Sequence, residues 1–242
     1  MKKTIAVVGY GRFGRLAARA LRSRFTVCVA DEKPGIVTDA GITRMPIEEA
    51  VRLGIVLFAL PINRLRSTLK RLGPSVPPGS LVVDVCSVKE EPVRWMKQYL
   101  PKGVDILGTH PLFGPDSAGV TIKNRSIVLC PVRLSNARLN HVVRTLKKHG
   151  LIVHRMTPRS HDRLMASTLF LTQFIGRGLQ QLPPLKSTPS AESFLMLVQV
   201  ARTAGNDSRE LFEDMYRYNR FARAVPKHTI AGFQKLARSL AG

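Results

Sequence analysis

The sequence predicts an α/β protein: a doubly wound, mostly parallel sheet over residues 1–155, followed by an all-helical domain over residues 156–242. Three observations carry this. Short apolar runs alternate with amphipathic stretches through the first part, as strands and helices do in a parallel sheet. A glycine-rich turn, Gly9-Tyr10-Gly11-Arg12-Phe13-Gly14, joins the first run to the first amphipathic stretch. After Pro158 the strand signals stop, and apolar residues recur every three or four positions.

Thr4–Val8 is the first strand, and the helix after the glycine turn presents Leu16, Ala17, Ala20 and Leu21. Phe25–Ala30 is the second strand and ends at Asp31, 22 residues after Gly9. A strand before the glycines, a helix after them and an acid at the end of the next strand form the context of a Rossmann dinucleotide site. The glycines give the tight turn and let a pyrophosphate approach the helix N-terminus. Asp31 is placed to accept hydrogen bonds from the adenosine ribose. Its charge would repel a 2′-phosphate, so NAD is expected over NADP. Residues 34–53 carry weaker signals, with a short helix after Pro46. Ile55–Leu60 is a buried strand closed by Pro61, and Leu60, Pro61 and Ile62 are candidate contacts on the nicotinamide side.

Leu81–Val85 and Val104–Leu107 are two further strands, with an amphipathic helix from Glu90 to Leu100 between them. They deliver Ser87 and His110 to their carboxyl ends, the edge where open α/β sheets bind ligands. A hydroxyl and an imidazole together there suit proton handling beside a small-molecule pocket. Phe113–Gly119 reads as a pocket wall. Ser126–Pro131, a helix from Asn136 to His149, and Leu151–His154 complete the sheet. In the helical part Leu164, Thr168, Leu171, Ile175, Leu179 and Leu182 form a stripe on one long helix, which Pro183-Pro184 ends. Ala191–Ala204 is a second helix. Asp207 and Glu210 have capping-box spacing at the start of a third, and Pro226 separates it from a fourth, Lys227–Leu240. Such a domain buries its stripe poorly alone, so a homodimer is expected.

Composition excludes several classes. No apolar run approaches the ~18 residues of a membrane span. The N-terminus has no small-residue cleavage site, and the three cysteines lie far apart without metal-ligand spacing. Buried thiols, a cytoplasmic location and no metal are the expectation. The net charge of +22 is large. Its lysines and arginines are spread over every helix, no nucleic-acid motif accompanies them, and aromatic residues make up only 6%. These features argue against a nucleic-acid partner, while a positive field would steer an anionic substrate and a dinucleotide.

Asp84-x-x-Ser87-Val88-Lys89, followed by His110-Pro111-Leu112-x-Gly114 behind the glycine turn, resembles the prephenate/arogenate dehydrogenase family of tyrosine biosynthesis. The resemblance implies oxidation of prephenate with loss of carbon dioxide, with NAD as cofactor and NADP as the alternative. The substrate would be prephenate, or else arogenate, singly or with dual specificity. It implies His110 as the catalytic base and Ser87 as its hydrogen-bonding partner, with Lys89 and Thr109 shaping the substrate site. It places a carboxylate-binding arginine, whose planar fork suits that group, on Arg202, or alternatively on Arg220. Many relatives carry a substrate-contacting histidine where this chain has Gln173, so the reading of the substrate's side-chain end stays open. His161 falls in a family block where the histidine is structural. The rivals are other dehydrogenases with helical second domains, and a non-catalytic dinucleotide- or RNA-binding protein. The first lack the serine–histidine pair, and the second would not need it.

Overall fold

In the computed structural model, residues 2–33, 35, 39–118, 121–183 and 190–241 are described. Gly119 and Pro184, which belong to the expected pocket wall and helix stop, lie outside them. The chain forms two compact units, residues 1–158 and 159–242.

The first unit runs β1 (Lys3–Val8), α1 (Arg12–Leu21), β2 (Phe25–Ala30), β3 (Ile42–Arg44), α2 (Ile47–Ala50), β4 (Ile55–Phe58), α3 (Ile62–Leu72), β5 (Leu81–Asp84), α4 (Glu90–Tyr99), β6 (Asp105–Pro111), α5 (Pro115–Ala118), β7 (Ser126–Arg133), α6 (Asn136–Lys148) and β8 (Ile152–Arg155). These strands make one eight-stranded sheet in the order β3-β2-β1-β4-β5-β6-β7-β8. Neighbours are parallel except β6 and β7. The order reverses beside β1, which opens a crevice at the carboxyl ends of β1 and β4, where α/β sheets take ligands.

Alternation along the strands sorts the core. Val56, Phe58, Val82 and Ile106 are fully sealed on one face. Leu57, Leu81, Val83 and Leu107 belong to the opposite face and its apolar cluster. The three cysteines are buried, and among the described residues none forms a disulfide.

Two differences from the sequence reading concern the sheet. β3 is an edge strand within the stretch read as weak. β6 continues through His110 to Pro111, because Gly108, Thr109 and His110 pair with Cys130, Leu129 and Val128 of β7. A Gly-Thr-His-Pro sequence reads locally as a turn, and the long-range ladder overrides it.

The helical unit contains α7 (Pro158–Met165), a π-helical turn (Ala166–Phe170), α8 (Leu171–Leu179), α9 (Glu192–Asn206), α10 (Arg209–Tyr218) and α11 (Val225–Leu240). The expected single helix is thus interrupted by a wider turn, which shifts the register of the residues beyond it. Along α7, this turn and α8 the buried residues are His161, Asp162, Met165, Ala166, Phe170, Gln173 and Gly176. The leucine stripe, expected to be poorly buried in a single chain, leaves Leu164 and Leu182 exposed.

The cap of α10 is Ser208, which accepts from the Leu211 amide at 3.1 Å. Asp207 does not cap, because its carboxylate takes the Gln173 amide at 2.6 Å. Pro226 sits in the first turn of α11 and starts that helix rather than interrupting it.

Candidate active site

The glycine turn divides its work. Gly9 has φ +98°, and a Cβ there would lie 2.3 Å from the Ala59 carbonyl oxygen. A Cβ on Gly14 would lie 1.9 Å from the Gly9 oxygen. These two glycines let the turn, β4 and α1 pack together. A Cβ on Gly11 would meet nothing within 4 Å, so the turn stays open at the N-terminus of α1. Open space at a helix N-terminus, where the first-turn amides point outward, fits a pyrophosphate.

Asp31 closes the same crevice. Its Oδ2 accepts from the Tyr10 amide at 2.6 Å and its Oδ1 from the Lys33 amide at 2.8 Å. Each carboxylate oxygen keeps a second lone pair, and the residue is half-exposed. Arg44 donates to the carbonyls of Asp31, Lys33 and Gly35 and holds this loop in shape. Beneath it, Tyr10 Oη donates to Asp39 at 2.8 Å, and Arg19 donates to the other oxygen at 2.9 Å. The Arg19 and Tyr10 hydrogen bonds hold the Asp39 carboxyl below its usual range. Burial, then the neighbouring Asp39, pushes the Tyr10 phenol up.

Arg12 pairs with Asp116 at 2.5 Å, and Phe13 lies 6.4 Å from Phe113, ring centre to ring centre. Leu60 is half-exposed and Pro61 exposed. Ile62 is only 2% exposed. As the first residue of α3 it turns its side chain into the core.

Ser87 and His110 follow β5 and occupy β6, which pair in register through Asp84 and Gly108. His110 is 5% exposed and Ser87 is half-exposed. The N-cap of α4 is Lys89, and no side chain caps it. Ser87 is therefore not that helix's cap.

Behind this edge lies a polar knot that sequence reasoning did not assemble. Lys89 and Asp84 are both fully buried and form an ion pair. Lys89 Nζ also donates to the Thr109 carbonyl at 2.6 Å. Thr109 Oγ1 donates to the Asp84 carbonyl at 2.6 Å, and the Cys86 amide donates to Asp84 Oδ2 at 3.0 Å. The knot thus ties the segment before Ser87 to the residue before His110. Lys89 and Thr109 turn their side chains into the protein. Their effect on the site is to fix its two strands. The signal in the sequence was the five-residue spacing of Asp84 and Lys89 around a turn. Among the described residues no cluster of metal-binding side chains occurs.

In the helical unit, Arg202 on α9 is exposed. Arg220 lies over the Phe221 ring, 4.9 Å from its centre. Gln173 is 3% exposed and donates to Asp207, while its Oε1 is buried without a partner among the described residues. Arg177, not singled out from sequence, donates to the Asp207 carbonyl at 2.7 Å and stacks on Phe212 at 4.9 Å. His161 is fully buried against Asp162, Nδ1 to Oδ1 at 2.7 Å, and Asn219 donates to the Asp162 carbonyl at 2.8 Å. This agrees with a structural histidine.

A family model described as prephenate dehydrogenase, nucleotide-binding domain, matches residues 17–154. A second, described as TYRAAT1-like, C-terminal domain, matches residues 179–242. A probable arogenate/prephenate dehydrogenase of Methanocaldococcus jannaschii is 32% identical over 71% of this chain and 40% of its own length. Arogenate dehydrogenase 2 of Arabidopsis thaliana is 30% identical over 77% of this chain and 51% of its own. The chain thus spans about half the length, or less, of these curated relatives. A crystal structure of prephenate dehydrogenase from A. aeolicus, in complex with hydroxyphenyl propionate and NAD+, superposes with a TM-score of 0.76 at 20% identity. The match covers 100% of this chain and 90% of that one.

Proposed function

Since the chain belongs to the prephenate dehydrogenase family, we propose that it oxidises prephenate with NAD, releasing carbon dioxide and 4-hydroxyphenylpyruvate. The observation that carries this reading is the placement of His110 and Ser87 on adjacent, hydrogen-bonded strand ends, fixed by the Asp84–Lys89–Thr109 knot. When bound, the nicotinamide accepts a hydride. The open face at Gly11 takes the pyrophosphate and Asp31 the adenosine ribose. The carboxylate of Asp31 disfavours a 2′-phosphate, which supports NAD over NADP.

His110 takes the substrate hydroxyl proton as the carbon bearing that hydroxyl gives up its hydride. The carbon–carbon bond to the ring carboxylate then breaks. Its electron pair completes the aromatic ring, carbon dioxide leaves, and the oxygen recovers the proton as a phenol. Ser87 orients the hydroxyl and the imidazole. Arg202, with Arg220 as the alternative, binds a substrate carboxylate. The helical unit also forms a homodimer, and its exposed apolar side chains support that reading. One observation favours arogenate as a second reading. The unpartnered Gln173 Oε1 beside the Asp207 carboxylate offers acceptors that suit an ammonium rather than a ketone.

A spectrophotometric assay of prephenate and arogenate, each with NAD and NADP, tests the whole reading. Turnover of neither substrate would overturn it. His110→Asn should lower kcat by about 10²–10⁴-fold, the usual contribution of general base assistance. NAD affinity should stay near wild type. A variant with near-normal kcat would exclude His110 as the base.

A further inference from the structure

The loop that follows β2 is held from two sides. Asp31 Oδ1 accepts from the Lys33 amide at 2.8 Å, which closes an Asx-turn, and Oδ2 accepts from the Tyr10 amide at 2.6 Å. On the carbonyl side a single guanidinium gathers the same residues. Arg44 Nη2 donates to the Asp31 carbonyl at 2.9 Å and to the Lys33 carbonyl at 2.5 Å, and Nη1 donates to the Gly35 carbonyl at 2.8 Å. Glu32, within the turn, pairs with Arg71 of α3 at 2.5 Å. Arg44 reaches the loop because β3 pairs in register with β2, Arg44 opposite Val29, so the last residue of the edge strand stands beside the place where the loop begins.

None of this encloses a core. Glu32, Lys33, Gly35 and Arg44 are exposed. Water could satisfy the three carbonyls nearly as well, so the bonds to Arg44 add little to overall stability. What they remove is freedom. A planar fork that takes three carbonyls at once fixes their relative positions, as a flexible ammonium would not. The group whose place then depends on Arg44 is the Asp31 carboxylate, because its Asx-turn spans the two carbonyls that Nη2 holds. Position matters to such a group: a negative charge rejects a second negative charge only where it cannot swing aside. The charge of Arg44 argues in the opposite direction, since an arginine near the ribose is what a 2′-phosphate would seek. Three of its five N–H donors, however, are already engaged by the loop.

We propose that Arg44 is a positioning residue for Asp31, and that the preference for NAD over NADP depends on its fork rather than on its charge. The proposal rests on the reading of Asp31 as the partner of the adenosine ribose. By fixing the turn, Arg44 holds the carboxylate at the ribose hydroxyls, where a 2′-phosphate would meet its charge. With the turn loosened the carboxylate can retreat, and NADP is admitted.

Isothermal titration of the full chain with NAD and with NADP tests this without turnover. Wild type should bind NAD more tightly. Arg44→Gln should lower the ratio of the NADP to the NAD dissociation constant by about fivefold, the scale of one modest hydrogen bond lost. Arg44→Lys, which keeps the charge and loses the fork, should do the same. In an Asp31→Ser background Arg44→Gln should leave the ratio alone, because no carboxylate remains to be positioned. Two other roles for Arg44 give different results, and each overturns the proposal. A residue that only stabilises the loop would, on change to Gln, weaken both dinucleotides equally and keep the ratio. A ligand of the 2′-phosphate would make the ratio rise, and Arg44→Lys would stay near wild type. A fall in the ratio of the same size without Asp31 overturns the proposal too. A wild-type chain that binds NADP more tightly, or neither dinucleotide, overturns the ribose reading of Asp31 and this proposal with it. A wild-type preference for NAD that Arg44→Gln leaves unchanged overturns this proposal alone.

Discussion

Residues 1–158 hide an ion pair and residues 159–242 display apolar side chains. In the first unit Asp84 and Lys89 have no exposed surface, and the sheet and its helices cover most large apolar residues. In the second, α11 has no buried residue at all, and Phe233 and Leu236 are 59% and 58% exposed. Met196 on α9 is 61% exposed. The helical unit does bury a polar group of its own, the His161–Asp162 pair, so polarity alone does not separate the two. The difference is completeness. A sheet with helices on its faces can close a core within one chain, whereas helices with apolar residues on two sides need another surface.

The largest expected effect probes the buried pair. Lys89→Met leaves the Asp84 carboxylate buried without its counter-charge, which costs about 3–5 kcal/mol. The double variant Asp84→Asn with Lys89→Met should recover part of that stability, because no unpaired charge remains. Arg209→Ala in the helical unit removes a pair whose members are 87% and 49% exposed, and should change stability by less than about 1 kcal/mol. Urea midpoints of the three variants measure this. Similar losses for Lys89→Met and Arg209→Ala would erase the contrast between the units.

The next effect concerns the exposed stripe of α11. Ile230, Phe233, Leu236 and Leu240 recur at helical spacing and all face solvent in the single chain. If a second copy covers them, Phe233→Asp with Leu236→Asp should weaken self-association at least about a hundredfold, since two buried apolar side chains are each worth ~1.5–3 kcal/mol. Light scattering across a concentration series reads the result. A wild-type chain that is monomeric at micromolar concentration would instead show that the stripe serves another purpose.

These two regions also differ in how far the sequence disclosed them. Gly9–Gly14, the second strand and Asp31 are local signals, and local signals survive folding. The positions of Ser87 and His110 at one sheet edge follow from where two apolar runs stop. The strand through His110 does not, because its pairing with Val128 is made across a loop and leaves no periodic trace. Asp84 was legible only as a motif residue, and its pairing with a lysine five positions on depends on a turn that brings both inside. In the helical unit one inserted residue, at the π-helical turn after Met165, rotates the pattern. The leucine stripe then borders the packed face rather than forming it. Ser208 rather than Asp207 caps α10 because a glutamine 34 positions earlier claims the aspartate. Each miss is a case of a distant partner overruling a local preference.

A smaller effect returns to the glycine turn. Asp31→Ser removes the charge that disfavours a 2′-phosphate but keeps a hydroxyl near the Tyr10 amide. The ratio of kcat/KM for NAD to that for NADP should fall by about tenfold, equivalent to ~1.4 kcal/mol. The wild-type enzyme should prefer NAD. A wild-type preference for NADP would mean that the basic surroundings, including Lys33 and Arg44, outweigh the carboxylate.

The smallest expected effect is a pH dependence of stability that belongs to the first unit alone. Burial, and then the nearby Arg24, lowers the pKa of His149 below that of a free imidazole. The sign follows from linkage. Above the ordinary value of about 6.5, the residue is neutral in both folded and unfolded chains and stability does not depend on it. As the pH falls below that value, the unfolded chain takes up the proton first, because its imidazole is the stronger base. Stability contributed by the neutral, buried ring is therefore lost on acidification, until the folded chain is protonated too. The informative quantity is a difference that isolates this residue. The urea midpoint of wild type minus that of His149→Phe should decline as the pH is lowered from about 7.5 to about 5.5. A difference that stays flat across the range would show that the His149 ring is solvated in solution.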